Sequence, residues 1–482
     1  MTRAVRFAYW FTPVAYCFIL YWLGLRTWFQ QDDFTWLSLR NQVVDTPTLF
    51  SALFAPMAQG TIRPFSERAF FLIFSYFFGL HSFPYHLWVF LNQALNVMLV
   101  TLISLKLTGS RLAGFLAPLL WLSNVSLIVP MSYASAYNEI QYATFLLLGF
   151  YLFIRYTESG DRRMYWAQWV VFVLGFGSLE LNMVYPALAA LYALFFARRY
   201  LRSTLPMLAV SACYLVILRM LGKGMGNYYY DLNFRPTSIL TTLARQWAIL
   251  SGIPAYGEFH GWPPWTIPVT SAALAAVILG FTVWQARKKQ FLCSFLLGWF
   301  LVMLSPTLPL HNRVAGYYSV TAGIGIAILA ALALSAAWQK GWPSRASVAG
   351  IALLYVVASV LVIHHQMAFL RDRAVRARNL IQEVAAEKRM HPGRVFLLSG
   401  IDDDLFWTTL YYRPFRLFGW TDVFLSPDSR GLVQDDPHFP SLDSYFLTHS
   451  AARKALDHGA LEYSVSNGQF LLLPSTKLEQ SD

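Results

Sequence analysis

The chain has 482 residues, of which 56% are hydrophobic, 17% aromatic and 13% charged, and its mean hydropathy is +0.44. This composition is too apolar for an ordinary soluble fold and predicts a polytopic membrane protein. In a soluble protein, the net charge of +12 would suggest nucleic acid as a partner. Here the basic residues lie in short loops between apolar runs, so we attribute them to membrane topology and expect no nucleic-acid partner.

The first apolar run covers residues 7–25 and follows the basic start MTRAVR. It resembles a signal peptide, but no small-residue cleavage site follows and the run is long enough to cross a bilayer. We therefore expect a retained first helix. Together with ten later apolar runs, it predicts about eleven membrane-spanning helices. The predicted spans lie at 7–25, 84–105, 112–130, 139–155, 165–180, 183–197, 203–221, 266–284, 291–308, 317–337 and 346–364.

The loops between the predicted spans alternate in charge. One set is short and basic, as in the loop with Arg198, Arg199 and Arg202, which is typical of the cytoplasmic side. The other set is longer and holds most of the acidic loop residues, so it is predicted to lie outside. This pattern places the N-terminus in the cytoplasm and the C-terminal domain on the external side. The expected location is a bacterial inner membrane, with the C-terminal domain in the periplasm.

The first external loop, residues 26–82, begins with the adjacent acids Asp32 and Asp33. Adjacent carboxylates repel, so one of them could accept a proton from a hydroxyl. The other could hold or orient a divalent cation, Mg²⁺ or Mn²⁺, and Asp32 is the candidate ligand. The alternative is structural: a solvated loop start, or two acids at the N-terminus of a helix through residues 35–40.

Arg63 lies in the same loop and precedes a proline. Its fork of donors suits a phosphate leaving group, although an arginine here could also simply extend its charge to lipid headgroups. The apolar segment 66–80 that follows is predicted to form a helix along the membrane surface. His86, at the start of the second span, is a candidate for the substrate pocket, and the alternative is a polar side chain satisfied at the interface.

Two further acids, Glu139 and Glu180, stand at the outer ends of predicted spans. Acids at membrane depth usually face an internal cavity, so both are candidates for a substrate pocket. Glu139 has the alternative of capping a helix N-terminus. A late external turn carries His311 and Arg313, which could meet a phosphate, and then Tyr317, which could line the pocket or belong to an interfacial aromatic belt.

The sequence changes character after about residue 365. Residues 366–390 form an Arg-rich amphipathic stretch, RVFLLSG predicts a buried strand, and DDDLFWTTLYYR predicts a helix with an acidic start. The dipeptide at Asn467 and Gly468 predicts a hairpin between two strands. We therefore predict a membrane domain over residues 1–365 and a small external α/β domain over residues 366–482.

Several short motifs, in this order, resemble the GT-C superfamily of integral-membrane glycosyltransferases, most closely the relatives of protein O-mannosyltransferases. The resemblance covers roughly residues 1–340. The later segments depart from the family pattern, with Val89 and Gln93 where relatives often carry Asn and His, and with His311-Asn312-Arg313 in place of a plain Glu-Arg. The motifs are QDDFTWL, IRPF, FGLHSFPYHLWVFLNQALNVMLV, SLELNMVYPALAAL and PTLPLHNRVAGYYSVTAGIG.

The resemblance implies a sugar donor linked to polyprenyl phosphate and an acid of the first loop as general base, either Asp32 or Asp33, with a slight preference for Asp33. It therefore implies an enzyme, an inverting hexosyl- or pentosyltransferase of cell-envelope glycan biosynthesis. Arg63 and Arg313, with His311, would bind the donor phosphate. The acceptor could be a glycan, a lipid or a protein.

Two other functions share many of these features. A transporter or flippase of a lipid-linked glycan would also have many helices and intramembrane acids, but it predicts related halves with interrupted helices, which this sequence does not display. An O-antigen ligase or polymerase would place its arginines in one large late loop, whereas the acids here come early. The sequence contains no Walker loop, GxGxxG after a strand, HExxH or GxSxG, which argues against an ATP-driven pump, a dinucleotide enzyme or a membrane protease of those types.

Overall fold

The computed structural model describes residues 2–57, 60–223, 228–466 and 469–474, and these residues are mainly helical. The α-helices are α1 Arg3–Leu20, α2 Asp32–Ser38, α3 Thr46–Phe54, α4 Phe70–Phe78, α5 Ser82–Thr108, α6 Arg111–Leu122, α7 Tyr137–Ser159, α8 Arg162–Gly175, α9 Tyr185–Phe196, α10 Leu205–Leu221, α11 Pro236–Ser251, α12 Ile253–Phe259, α13 Thr266–Arg287, α14 Leu292–Leu304, α15 Val320–Trp338, α16 Trp342–Met390, α17 Asp403–Thr408 and α18 His449–Asp457. The β-strands are β1 Phe396–Ser399, β2 Val423–Leu425, β3 Leu461–Ser466 and β4 Gln469–Leu472.

A helix overlaps each of the apolar segments that the sequence predicts as spans. Within the part of the chain that the structure describes, five helical segments are both long and apolar enough to cross a membrane, and they indicate an integral membrane protein. The predicted number of eleven crossings and their orientation remain predictions. The five segments are Ser82–Thr108, Arg198–Leu221, Thr266–Arg287, Gly316–Trp338 and Trp342–Met390.

The chain divides into two compact units. Unit 1 comprises Met1–Leu25, Leu53–Ala69 and Tyr85–Met367, and unit 2 comprises Arg26–Ala52, Phe70–Pro84 and Ala368–Asp482. Unit 2 therefore combines the C-terminal region with two parts of the first external loop. The sequence-based division at residues 365 and 366 rested on the change of composition and the local strand and helix signals, and it stays a prediction.

The core of unit 1 is made by α6, α14 and α15. Trp121 donates its indole N–H to the carbonyl of Val320 at 2.9 Å, and Trp299 donates to the carbonyl of Thr321 at 3.0 Å. A Cβ on Gly325 would lie 2.7 Å from the carbonyl oxygen of Leu296, so a glycine is needed where α15 approaches α14. These tryptophans are fully buried and satisfied, which fixes the helices that carry the late turn.

Unit 2 contains a four-stranded sheet with the strand order β2-β1-β3-β4. Strand β1 pairs in parallel with β2 and β3, and β3 pairs antiparallel with β4. The strand predicted from RVFLLSG is confirmed as β1, and all four of its residues are buried. The predicted hairpin is consistent with the β3–β4 pairing, while its turn, Asn467-Gly468, lies outside the described residues.

Helix α16 differs from the prediction because the sequence was divided into a span at 346–364 and a separate helix at 366–390. The structure has one helix from Trp342 to Met390. No glycine or proline interrupts residues 351–390, so the change from apolar to Arg-rich composition alters the surroundings of the helix without breaking it.

Candidate functional site

The first group of candidate residues is a partly buried charge cluster in unit 1, which we call the Arg63 cluster and define as Arg63, Glu67 and Glu180. The guanidinium of Arg63 donates from Nε to Oε2 of Glu180 at 2.8 Å and from Nη2 to Oε1 at 2.7 Å. Its Nη1 pairs with Glu67. Arg63 is therefore held by two carboxylates, one of them in bidentate geometry, which is the strongest form of such a pair.

Backbone contacts explain why Arg63 meets a residue that is 117 positions away in sequence. The π-helical turn Pro64–Ala69 follows Arg63, and Phe65 N donates to the carbonyl of Gly177 at 2.9 Å. Ser66 Oγ donates to the carbonyl of Ser178 at 2.6 Å. A Cβ on Gly177 would lie 2.4 Å from the Phe65 ring, so only glycine permits this approach. The two segments are joined immediately beside Glu180.

The two carboxylates around Arg63 have opposite electrostatic behaviour. Burial alone would raise the pKa of Glu180, but the bidentate Arg63 outweighs it and lowers that pKa below its ordinary value. Burial also raises the pKa of Glu67, and its contact with Arg63 does not fully offset that rise. Burial would lower the pKa of Arg63, and the two carboxylates raise it instead. Arg63 thus favours the ionised form of Glu180 more strongly than that of Glu67, although it contacts both carboxylates.

Glu139 extends this cluster from the first turn of α7. Its side chain is buried, and it lies within electrostatic range of Arg63 and Glu180. The neighbouring Asn138 accepts from the backbone N–H of Glu139 at 2.9 Å and donates to Glu67 at 3.3 Å. The structure therefore brings three of the predicted residues, Arg63, Glu139 and Glu180, into one polar region of unit 1.

The late turn forms a second group in unit 1. Arg313 donates from Nη2 to the hydroxyl of Tyr317 at 3.0 Å, and its Cζ lies 4.9 Å from the centre of the Tyr230 ring. Among the described residues, no carboxylate forms an ion pair with Arg313, which distinguishes it from Arg63. His311 lies partly exposed in the same turn, and its backbone N–H donates to the carbonyl of Pro309.

His86 is buried on α5, with about 1% of its surface exposed. The same helix contains Asn96, which donates to Gln93 at 3.1 Å and to the carbonyl of Ile140 at 2.9 Å. These contacts tie α5 to α7, the helix that carries Glu139. His86 therefore belongs to the interior of unit 1, and its place in a substrate pocket stays a prediction.

The acid pair belongs to unit 2, where it forms the start of α2. Asp33 is fully buried, and its Oδ2 accepts the backbone N–H of Gln30 at 3.0 Å. Asp32 is exposed. Both acids therefore lie in the first turn of a helix, the position that the structural alternative in the sequence analysis predicted. Their exposure separates them, because a substrate can reach Asp32 more directly than Asp33.

The backbone immediately before the acid pair has an unusual conformation. Gln31 has φ 51° and ψ −129°, a region that residues with a Cβ seldom occupy. Its N–H donates to the carbonyl of Thr408 at 2.8 Å, which helps to hold this conformation. Strain of this kind costs on the order of 1–3 kcal/mol and often marks functional sites.

No cation site accompanies the acid pair in the described part of the chain. There, no group of three or more His, Cys, Asp or Glu side chains is placed to hold a metal ion. Two carboxylates alone provide fewer ligands than Mg²⁺ or Mn²⁺ ordinarily takes from protein and substrate together. The divalent cation therefore stays a prediction, and no chemical step below depends on it.

Sequence analysis did not select Glu67 as a site residue, although it is the second carboxylate on Arg63. It was interpreted only as a boundary of the apolar segment 66–80. A usable signal was present, because Glu67 lies four residues after Arg63 and such spacing brings opposite charges together on one helical face. The pairing with Glu180 had no comparable signal, because the two residues are far apart in sequence.

Comparison with known proteins gives a structural likeness only. No protein-family profile matches the chain, and no curated protein matches it. A crystal structure of the Archaeoglobus fulgidus oligosaccharyltransferase in complex with zinc and sulfate is similar, with 14% identity and a TM-score of 0.42, over 80% of this chain and 60% of that chain. A second structure of that enzyme is tethered through a disulfide to an acceptor peptide containing the NVT sequon. It is 12% identical, with a TM-score of 0.43 over 82% of this chain and 62% of that chain.

The chain thus spans about three fifths of the archaeal chains that it resembles. Because the identity is low and the shared length is partial, the activity, substrates and metal of the archaeal enzyme do not transfer to this chain from the comparison.

Proposed function

We propose that this protein is an integral-membrane glycosyltransferase of the GT-C type. It transfers a sugar from a polyprenyl-phosphate-linked donor to an acceptor hydroxyl on the external face of the membrane. The observation that carries the proposal is the bidentate pair between Arg63 and Glu180. These residues belong to IRPF and SLELN, two of the short motifs on which the resemblance rests, and the pair joins them across 117 positions of sequence.

The reaction is a single displacement at the anomeric carbon. The carboxylate of Asp32 removes the proton of the acceptor hydroxyl as the hydroxyl oxygen attacks that carbon. The bond between the anomeric carbon and the phosphate oxygen breaks, and its electron pair leaves with polyprenyl phosphate. The proton passes from Asp32 to solvent, and the sugar changes its anomeric configuration. General-base assistance of this kind contributes typically about 10²–10⁴-fold to the rate.

We assign the base to Asp32 because the two acids differ in exposure. The sequence favoured Asp33 slightly, but Asp33 is buried and accepts a hydrogen bond from the backbone of Gln30, whereas Asp32 is exposed. Asp33 then acts as a positioning residue that fixes the first turn of α2.

Arg313 is the proposed ligand of the donor phosphate, with His311 beside it. Its contacts within the described part of the chain are a tyrosine hydroxyl and an aromatic face, so its charge is not neutralised by a carboxylate. A charged donor aimed at the departing phosphate stabilises the charge that develops in the transition state. Tyr317 orients Arg313 and contributes to the substrate pocket.

Arg63 has a different proposed role, since both faces of its fork are taken by carboxylates. To bind phosphate directly, Arg63 would have to leave one of its two carboxylates. Leaving Glu67 is easier than leaving Glu180, because the pKa of Glu67 is raised and its ionised form is less favoured. We propose that Arg63 mainly positions Glu180 and Glu139, which with His86 line the substrate pocket.

The experiment is transfer of a radiolabelled sugar from polyprenyl phosphate by the purified full-length protein in lipid vesicles. We expect labelled acceptor to accumulate with wild-type protein and with Asp457→Asn, a control at an exposed aspartate of unit 2. Asp32→Asn should abolish most of this transfer. Undiminished transfer by both Asp32→Asn and Asp33→Asn would remove the acid pair from the mechanism. Movement of the lipid-linked sugar across the bilayer without any transfer would instead identify a flippase.

A further inference from the structure

An open cleft of about 410 Å³ lies in unit 2 beside the acid pair. One wall is α2, which contributes Thr35 and Ser38. The opposite wall comes from the C-terminal region of unit 2, and it carries Tyr411, Arg413, Arg416 and Tyr445. We call it the Tyr411 cleft. Its volume lies within the usual range of small-molecule sites, which is roughly 300–1,000 Å³.

Asp32 is not among the residues that line this cleft, but it stands on α2 one turn before the lining residue Thr35. Asp32, Thr35 and Ser38 follow one another at three-residue intervals along α2, which places them on one side of the helix. Burial raises the pKa of the Tyr411 phenol, and the neighbouring Tyr445 and Asp32 raise it further. The carboxylate of Asp32 is thus close enough to Tyr411 to act on it, and so is that of Asp436.

The two tyrosine rings of the wall are stacked. The rings of Tyr411 and Tyr445 lie nearly parallel, with centroids 5.9 Å apart and an angle of 21° between their planes. The hydroxyl of Tyr445 donates to the carbonyl of Tyr411 at 2.7 Å. Flat phenol faces beside hydroxyl-bearing side chains such as Thr35 and Ser38 suit a sugar ring, which has an apolar C–H face and a rim of hydroxyls.

The other end of the cleft is positively charged. Arg413 donates from Nη2 to Ser444 Oγ at 2.8 Å and lies with its Cζ 4.6 Å from the centre of the Tyr445 ring. Arg416 is exposed. Neither arginine forms an ion pair with a carboxylate among the residues that the structure describes. Two such guanidinium groups in one cleft are suited to a carboxylate or phosphate group.

Backbone strain coincides with this cleft. Among the described residues, three that are not glycine have positive φ, and two of them are Gln31, next to Asp32, and Arg413, in the cleft wall, with φ of 51° and 50°. Each such conformation is costly unless the surroundings enforce it, and these conformations are enriched at binding and catalytic sites. The conformation of Arg413 supports a functional role for the cleft wall, and that of Gln31 lies directly before the proposed base Asp32.

We propose that the Tyr411 cleft binds the acceptor and that the acceptor is an anionic saccharide, a sugar that carries a carboxylate or a phosphate. Its anionic group lies against Arg413 and Arg416, its ring lies against the tyrosine wall, and the hydroxyl that reacts lies near Asp32. This inference rests on the proposed glycosyltransferase function and adds the acceptor class to it. The same arginines could receive a phosphate from the donor lipid, and the experiments below separate that source.

The first experiment measures binding, which does not depend on catalysis. The tyrosine wall contacts Trp407, whose ring centroid lies 4.9 Å from that of Tyr411, so tryptophan fluorescence should report occupancy of the cleft. The probes are a glucuronate-containing disaccharide, a sugar phosphate, the neutral glucose disaccharide and polyprenyl phosphate. We expect saturable binding of at least one anionic saccharide, roughly tenfold or more tighter than the neutral one, since a charge-assisted hydrogen bond contributes about 1.5–3 kcal/mol.

The variants for this experiment are Arg413→Gln and Arg416→Gln, with Arg378→Gln as a control at an exposed arginine of unit 2. The first two should weaken anionic saccharide binding about tenfold or more and leave the neutral disaccharide unchanged, while the control changes neither. Equal loss for both saccharides would contradict the charge recognition. Loss of polyprenyl phosphate binding, with saccharide binding intact, would assign the arginines to the donor and overturn the proposal.

The second experiment uses the transfer reaction. Both arginine variants should raise the KM for the anionic acceptor and leave kcat and the donor KM close to wild-type values. A rise in donor KM instead would overturn the proposal. If anionic saccharides bind through Arg413 and Arg416 but no sugar is transferred, the proposed function fails while the cleft remains a saccharide site. If transfer occurs and the arginine variants are unaffected, only the acceptor assignment fails.

Discussion

The Arg63 cluster of unit 1 and the Tyr411 cleft of unit 2 use arginine in opposite ways. Arg63 is about one-fifth exposed and is occupied by two carboxylates, whereas Arg413 and Arg416 line an open cleft without such partners in the described residues. A cation that is already neutralised holds protein segments together. A cation left without a counter-charge at a cleft attracts an anion from outside. The difference suggests which arginines build the protein and which recognise its substrates.

The same contrast separates the two aspartates of α2. Asp33 is buried and closes a turn of the backbone, while Asp32 is exposed, one turn before the cleft residue Thr35. Adjacent positions on a helix point about 100° apart, so one member of an acid pair can be structural and the other chemical. Substitutions in the two regions should therefore change different quantities: stability for the buried groups, and substrate handling for the open ones.

The largest effect on stability is expected for Arg63→Ala. It would leave Glu180 and Glu67 facing each other without their cation, so we expect a loss of roughly 3 kcal/mol, the lower end for a broken buried pair because the groups are partly exposed. The measurement is the free energy of unfolding in detergent, with Arg378→Gln as the control. A change within about 0.5 kcal/mol would mean that the cluster is not structural.

A smaller and opposite pair of effects is expected for the two glutamates. Glu180→Gln removes the charged partner of Arg63 and should destabilise the protein at neutral pH by about 1–2 kcal/mol. Glu67→Gln should be nearly neutral or stabilising, because the ionised form of Glu67 is disfavoured in the folded protein. Equal destabilisation by both variants, measured by thermal unfolding at pH 7, would contradict the stronger electrostatic pairing of Arg63 with Glu180.

The pH dependence of these variants has a defined sign. The pKa of Glu67 is raised in the folded protein, so its contribution to stability falls as pH rises from about 4.5 through that raised pKa. The pKa of Glu180 is lowered, so its contribution is present above about 4.5 and is lost as pH falls through the lowered value. Glu67→Gln should therefore reduce the fall in stability above pH 4.5, and Glu180→Gln should reduce the loss of stability at low pH. The measurement is a series of unfolding scans at several pH values. Flattening of the low-pH loss by Glu67→Gln, and of the decline at higher pH by Glu180→Gln, would contradict this assignment.

The smallest effect is expected for Gln31→Gly in unit 2. Glycine adopts positive φ without a Cβ penalty, so it should relieve the strain before Asp32 and stabilise the protein by up to about 1 kcal/mol. Chemical unfolding of the wild-type and variant proteins provides the measurement. A clear loss of stability would show that the Gln31 side chain, not the backbone conformation, is the important feature of this turn.

Much of the helical architecture could be predicted from the sequence, because runs of apolar residues report membrane-length helices directly. The continuity of α16 could not, since a change in composition resembles a boundary even when no residue breaks the helix. The pairing of Arg63 with Glu180 also required the structure. It depends on the close approach at Gly177, which is set by packing between segments that are distant in sequence.

The sequence identified candidate site residues by their type, but it did not show which of them are buried or which other residues surround them. The acid pair was found from its position after the first apolar run, yet nothing in two identical neighbouring residues tells which one is buried. The Tyr411 cleft was missed because its lining comes from α2 and from residues almost 400 positions later, and neither segment contains a recognisable motif. Exposure and long-range contact are properties of the fold, so sequence reasoning alone had no access to them.

The central claim is that Asp32 removes the proton from an acceptor during sugar transfer. It is tested most directly by the single-turnover rate of transfer from a bound polyprenyl-phosphate sugar at saturating acceptor. We predict that Asp32→Asn lowers this rate about 10²–10⁴-fold with donor binding retained. Asp33→Asn should lower it less, mainly through stability. A wild-type rate in Asp32→Asn would contradict the claim.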